Sequence, residues 1–280
     1  MKFGIKTNPQ FTSFDDMLVV WQRADEVDLF DSAWVFDHFY PISGDLDGPC
    51  MEAWTTLTAL AQATNRIRVG SMVNGMPYRH PAVTANMAAT LDIVSRGRLN
   101  LGLGAGWYEL ETNAYGISLG DSLKDRMDMF DEGVEVVVSL LSNEHTTFDG
   151  GHYQLSEARC EPKGPQQPHP PIVIGGGGEK RTLRTVARFA DHWNSPPLEV
   201  DVWKHKRAVL DAHCADVGRD PAEVESSLML RFDPGDPGAT VPVVEAFAEA
   251  GADAFFFNLP APYDPGHVDL LAETVAPLRG

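Results

Sequence analysis

PIVIGGGGEKR, running from Pro171 to Arg181, reads as a short buried strand, a run of four glycines and the mouth of a helix. Ile172, Val173 and Ile174 are uninterruptedly apolar and bounded by proline and glycine, the pattern of a parallel strand covered on both faces. Gly175, Gly176, Gly177 and Gly178 then expose bare backbone, and Leu183, Val186, Ala187 and Ala190 recur behind them at helical spacing. Such a mouth carries free N–H donors and the positive end of the helix dipole, so it suits an anion, most often a phosphate. Lys180 and Arg181 place cations in the first turn, where the dipole disfavours them, which predicts a ligand for them. The run matches neither the Walker pattern nor Gly-x-Gly-x-x-Gly with its dinucleotide context. It predicts a phosphate cradle of another fold.

Outward from this point the chain alternates strand and helix. N-terminal to it, Phe3–Ile5, Ala33–Phe36, Ile67–Val73 and Leu99–Leu103 read as strands. Between them lie helical faces at Phe14, Met17, Leu18, Trp21 and Ala24, in a helix beginning near Ser13, then at Trp54, Leu57, Leu60 and Ala61. Pro81 suits the first position of a third helix, whose expected buried face is Val83, Met87, Thr90, Leu91 and Val94. A long excursion follows the fourth strand, with a helix through Leu123, Met127, Phe130, Val134, Val137 and Leu141. A hairpin of Thr146–Phe148 and Tyr153–Leu155 then turns around Asp149-Gly150-Gly151. C-terminal to the glycines come strands at Asp191–Asn194, Leu228–Phe232 and Ala254–Asn258, with helices at Val202–Val217, around Val243, Val244 and Phe247, and through Val268, Leu271 and Val275. Eight alternations in a chain near the typical ~250 residues predict an α/β fold, a (β/α)8 TIM barrel spanning residues 1–280 as one domain, with an extended loop region between strands four and five. A doubly wound open sheet is the alternative. In a barrel, function gathers where strands end. The polar clusters obey this: Asp37 and His38 follow strand two, Asn74 and Arg79 strand three, Trp107 and Glu109 strand four, and the glycines strand five.

Composition limits the partners. The 280 residues are 43% hydrophobic and carry a formal charge of -18, which argues against a nucleic acid or an anionic membrane surface. An anionic ligand must then be met by local donors. Cys50, Cys160 and Cys214 are sparse, odd in number and without metal spacing, and no His-Glu-x-x-His occurs, so neither a disulfide framework nor a metal site is expected. The opening MKFGIKTNPQ does not read as a signal peptide, and no apolar run approaches spanning length; a cytoplasmic protein is expected.

Four stretches, FDHFY (Phe36–Tyr40), GSMVNGMPYRHPA (Gly70–Ala82), RLNLGLGAGWYELETNAYG (Arg98–Gly116) and PPIVIGGGGEKRTLRTVARFADHWN (Pro170–Asn194), together closely resemble the luciferase-like oxidoreductases, particularly their deazaflavin-dependent branch. Each motif is weak alone, whereas the four in this order are specific; after Ser195 only the barrel pattern is shared. The resemblance implies a barrel binding coenzyme F420, or FMN as in sister families, with the ring over strand three and the phosphate on Gly175–Gly178. It implies that Asp37 and His38 stand beside the reacting ring carbon, that a non-prolyl cis peptide joins Ser71 to Met72, and that Asn74 lies in a coenzyme-contacting loop. Gly104, Ala105 and Gly106 would allow close approach of the ring, and Trp107 could simply pack.

A histidine can give or take a proton near neutral pH, which makes His38 the expected partner to hydride transfer, with Glu109 as the next candidate acid. Glu109 and Glu111 also fit ordinary solvated loop charges. Sugar- and alcohol-oxidising relatives usually have tryptophan and glutamate where this chain has Ile42 and Trp107, so oxidation of a sugar phosphate is not expected. The expected activity is hydride transfer between a deazaflavin and a small organic substrate, as a reductase. An FMN-dependent monooxygenase using oxygen is the alternative, and a flavin-binding protein without turnover a third. Phe39, Tyr40, Ile42, Trp107, Tyr108 and Trp193 point to an uncharged or aromatic acceptor near the mouth, and a homodimer is one assembly open to such a barrel.

Overall fold

The computed structural model describes residues 1–279, and eight of its parallel strands close into a ring. The N-terminal half runs β1 (Lys2–Lys6), α1 (Phe14–Glu26), β2 (Phe30–Val35), α2 (Ala53–Gln62), β3 (Arg68–Ser71), a two-residue extension β4 (Asn74–Gly75), α3 (Pro81–Val94) and β5 (Leu99–Gly104). The excursion contains α4 (Glu109–Ala114), α5 (Leu123–Ser142) and an antiparallel hairpin of β6 (Thr146–Asp149) and β7 (Gln154–Ala158). The rest is β8 (Ile172–Gly175), α6 (Thr182–Phe189), β9 (His192–Ser195), α7 (Val200–Asp216), β10 (Glu225–Arg231), α8 (Thr240–Glu249), β11 (Ala254–Asn258) and α9 (Pro265–Val275). The ring order is β1-β2-β3-β5-β8-β9-β10-β11, with β11 returning to β1. Closure through the β3–β5 pairing excludes an open doubly wound sheet. Among the described residues no helix is long and apolar enough to cross a membrane.

Strand alternation divides the apolar residues into two sets. Phe3, Ile5, Phe255 and Phe257 join the layer between strands and helices, while Trp34, Met72, Val173, Ala254 and Phe256 form a separate cluster that fills the barrel. Trp34 and Phe256 lie with ring centroids 5.0 Å apart, and glycines make the room. A Cβ on Gly70 would stand 2.5 Å from the Trp34 ring, and one on Gly4 2.8 Å from that of Phe256. These glycines serve packing.

The helix signals act largely as read. Ser13 caps α1 with a reciprocal capping box to Asp16, and Pro81 opens α3. The expected face of α3 is wrong, however. Only Leu91 of the five expected residues is buried, Val83 is 52% exposed, and the contact with the barrel is made by Thr84, Ala85, Ala88 and Ala89. Small side chains let the helix lie close, so side-chain bulk is a poor guide to its inner face.

Candidate active site

A cavity of about 430 Å³ opens at the C-terminal ends of the strands, within the usual size of small-molecule sites. Asp37, His38, Met72, Gly104, Ala105, Gly106, Gly175 and Gly176 line it, as do Ile42 and Trp107. Ser71, Asn74, Glu109, Gly177 and Gly178 do not. Ser71 Oγ and Asn74 Oδ1 are buried without a hydrogen-bond partner, and Asn74 Nδ2 donates to the Gly102 carbonyl at 2.7 Å. The non-prolyl cis bond is present, but between Met72 and Val73, one residue beyond the expected Ser71–Met72 position.

His38 is held from behind by a group that sequence reading misassigned. Glu111 is not a solvated loop charge; α4 folds its carboxylate fully under the loop after β2. Its Oε2 accepts from the Phe39 and Tyr40 backbone N–H groups at 2.7 and 3.2 Å, and its Oε1 from the Tyr78 hydroxyl. His38 Nδ1 lies 2.6 Å from the same Oε1. Because the other partners are all donors, the carboxylate is the acceptor throughout, and Nδ1 carries the proton. Burial would raise the Glu111 carboxyl, but the hydrogen bonds from His38, Tyr78 and Phe39 outweigh it and hold it below its ordinary value. Burial and the same carboxylate push the Tyr78 phenol up, so it remains a donor. Edges of Phe36, Tyr78, Trp107 and Tyr108 surround the imidazole at centroid distances of 5.0 to 6.3 Å. Nε2 is left as the nitrogen able to meet a ligand.

Glu109 is placed differently from expectation. Its side chain is 71% exposed and pairs with Arg126 at 3.3 Å, outside the cavity, so it does not join His38. Asp37 is buried and held in a bidentate pair with Arg79 at 2.7 and 3.0 Å, while Arg79 also bonds Glu52 at 2.7 Å. Burial pushes the Asp37 carboxyl up against the pull of Arg79, and the two-pronged geometry is that of an ionised pair. Trp193 is not at the mouth: it is fully buried, stacks on Trp203 and donates Nε1 to the Gly176 carbonyl.

The glycine run makes the turn from β8 to α6. Gly176 has φ +122°, open to glycine and strained for any other residue, and its N–H donates to Asn194 O at 3.0 Å. Lys206 Nζ donates to the Gly177 carbonyl at 2.7 Å and to Glu179 at 3.1 Å. Arg181, expected to serve a ligand, is instead bound to Asp128 and Asp131 of α5. Lys6, which lies outside the Phe3–Ile5 strand expected from the sequence, ends β1 inside the cavity. No local signal marks it, because facing the cavity depends on ring closure.

Over residues 1–237 the sequence matches the family described as luciferase-like monooxygenase. The chain belongs to the luciferase-like monooxygenase family. An uncharacterized protein of Mycobacterium tuberculosis (strain H37Rv) is 32% identical over 188 residues, which is 65% of this chain and 64% of that protein. An F420-dependent hydroxymycolic acid dehydrogenase of the same organism is 30% identical over 256 residues, 91% of this chain and 67% of its own length. The first of these matches therefore spans less than two thirds of the relative. A solved F420-dependent secondary alcohol dehydrogenase in complex with an F420-acetone adduct superposes with a TM-score of 0.87 at 22% identity, over 100% of this chain and 99% of that one. At this identity the likeness is one of fold. The luciferase-like assignment agrees with the four motifs read from sequence.

Proposed function

We propose that this luciferase-like barrel is an oxidoreductase that uses coenzyme F420 and transfers a hydride between its deazaflavin and a small organic substrate, acting as a reductase with His38 as the proton donor. The observation that carries this is the His38–Glu111 pair at the rim of the cavity: an imidazole with its inner nitrogen fixed and its outer one free. Support for the coenzyme comes from the names of the F420-dependent relatives and from the cavity itself. Gly104 and Gly175 make room for the Val73 side chain, to which an added Cβ would stand 2.6 and 3.0 Å away, and Val73 with Met72 gives the cavity an apolar wall against which a flat ring would lie. The Gly175–Gly178 turn would hold the phosphate. Reduced F420, when bound, would supply the hydride and leave as the oxidised coenzyme; all else falls to the protein.

In this reading Glu111 remains a carboxylate and stabilises the imidazolium, while Nε2–H of His38 delivers its proton to the acceptor. Glu111 acts through His38 and is a positioning residue. The aromatic rings around His38 leave the residue 8% exposed. The test is oxidation of reduced F420 by a panel of unsaturated carbonyl acceptors, alongside titrations with F420 and FMN. His38→Asn should bind F420 as the parent does and turn over ~10²- to 10⁴-fold more slowly, the usual contribution of a placed acid. Glu111→Gln keeps an acceptor for the Phe39 and Tyr40 N–H groups but presents an amide to Nδ1; its melting temperature should stay near the parent's while kcat falls. Parent-like kcat in both variants would remove the acid role. Membership of the luciferase-like monooxygenase family favours a second reading, an FMN-dependent monooxygenase. Tighter binding of FMN than of F420, with oxygen consumption, would establish that reading instead.

A further inference from the structure

Four ionisable side chains line the cavity, Lys6, Asp37, His38 and Tyr78, and three of them have partners, Tyr78 donating its hydroxyl to the carboxylate of Glu111. Asp37 is held by Arg79 and His38 by Glu111. Lys6 has none: among the described residues no carboxylate lies within 4.0 Å of its Nζ, whose one hydrogen bond goes to the side-chain oxygen of Asn8 at 2.7 Å. It is nonetheless 3% exposed, its ammonium standing 5.6 Å from the centroid of Phe36, the ring that also packs edge-on to His38. A buried ammonium offers three donors and is costly without a counter-charge. Two of the three are unspent.

Its place in the ring bears on what it meets. β1 and β8 are four strands apart in either direction, so Lys6 stands across the barrel mouth from the glycine turn. A coenzyme with its phosphate on that turn has its anionic tail at the wall opposite Lys6. The geometry points to Lys6 as a specificity-determining residue that binds the carboxylate of an anionic acceptor and sets the acceptor's reducible bond near His38. This rests on the reading of the cavity as a coenzyme and acceptor site, and it replaces the uncharged acceptor expected from the aromatic residues with an acidic one whose apolar body lies against Phe36, Ile42 and Trp107. Loss of a proton to Lys6 is not part of the reaction; the ammonium only pairs with the substrate's existing charge.

The test is calorimetric titration of the F420-loaded protein with benzoate, trans-cinnamate and hexanoate, each beside its methyl ester. For the parent, at least one carboxylate should bind ~10-fold or more tightly than its ester, the scale of a hydrogen bond to a charged group. Lys6→Met should abolish that preference while leaving ester binding and F420 affinity within twofold. Lys6→Gln is the second variant should the methionine protein fail to fold. If no carboxylate outbinds its ester on the parent, or the preference survives removal of the ammonium, the proposal is overturned. If either variant loses F420 affinity instead, Lys6 serves the coenzyme and the proposal is likewise overturned. Failure of the parent to bind F420 at all would fall on the coenzyme reading alone; the same titrations on the coenzyme-free protein then decide Lys6.

Discussion

A carboxylate in a loop between a strand and a helix is ordinarily solvated, and Glu111 is not. The difference is long-range: its partners lie 71 to 73 residues away on the β2 loop and 33 residues away at Tyr78. Nothing in the local pattern of Glu109-Leu110-Glu111 says which glutamate turns inward, which is why Glu109 is an equally good reading until the fold is known. Lys6 poses the same problem with an energetic signature. Burial lowers its ammonium to about 8 from its ordinary 10.5. Below pH 8 the folded and unfolded chains both carry the proton, and the full penalty of burying the charge is present. Between pH 8 and the unfolded value the folded state sheds its proton first, so the penalty fades as pH rises. Lys6→Met should therefore stabilise the fold at pH 7 by roughly 3 kcal/mol, with the gain over the parent shrinking steadily above pH 8. Urea unfolding of both proteins at pH 7 and 9.5 checks this, and an equal difference at the two values would contradict it.

At the scale of elements, strand positions and helix caps were legible, because they rest on local chemistry such as the Ser13 cap, Pro81 and the apolar run of β8. The faces of elements were less so. The inward face of α3 consists of alanines whose small volume carries little hydrophobic signal, and the glycines of β1 and β3 look like interruptions until Trp34 and Phe256 are seen to occupy the space they leave. Gly70 tests that account. Its missing Cβ would lie 2.5 Å from Trp34 Cζ3 and 2.6 Å from the Asn100 carbonyl, and the latter, being backbone, cannot swing aside. Gly70→Ala should cost about 1–3 kcal/mol by overpacking, measurable as a lower urea midpoint at unchanged slope. Trp34→Phe in the same background, by reducing the ring, should recover part of the loss. No recovery would assign the strain to the Asn100 side alone.

The whole molecule has two ends, and the barrel architecture assigns them different work. A second cavity of about 450 Å³ opens where the strands begin, lined by Lys2, Arg68, Asp191, His192 and Glu225 among others. It is as large as the candidate site and richer in charge, so size and polarity alone would not choose between them. Pairing does. Lys2 bonds Glu225, His192 Nε2 meets Ser227 Oγ at 2.5 Å with Nδ1 3.5 Å from Glu225, and Arg68 bonds Asn100 and Gln166 at 2.8 Å. Those groups satisfy one another, whereas the C-terminal cavity leaves the His38 outer nitrogen and the Lys6 ammonium without such mates. The first end should then be structural and the second functional. His192→Ala removes one of the two partners of Ser227, leaving the Asn194 amide at 2.9 Å, and removes a ring stacked on Phe256, so it should lower unfolding free energy by ~1–3 kcal/mol while leaving F420 affinity and kcat near the parent values at a temperature where the variant is folded. Gly106→Val, at φ +77° and with Pro77 and Leu119 atoms 3.2 Å from the added Cβ, strains the turn that walls the opposite cavity and should weaken F420 binding by tenfold or more. Measuring denaturant midpoints and F420 fluorescence titrations on both variants compares the two ends directly. Loss of F420 affinity in His192→Ala, with Gly106→Val folded and binding like the parent, would place the coenzyme at the wrong end of the barrel for everything argued from His38.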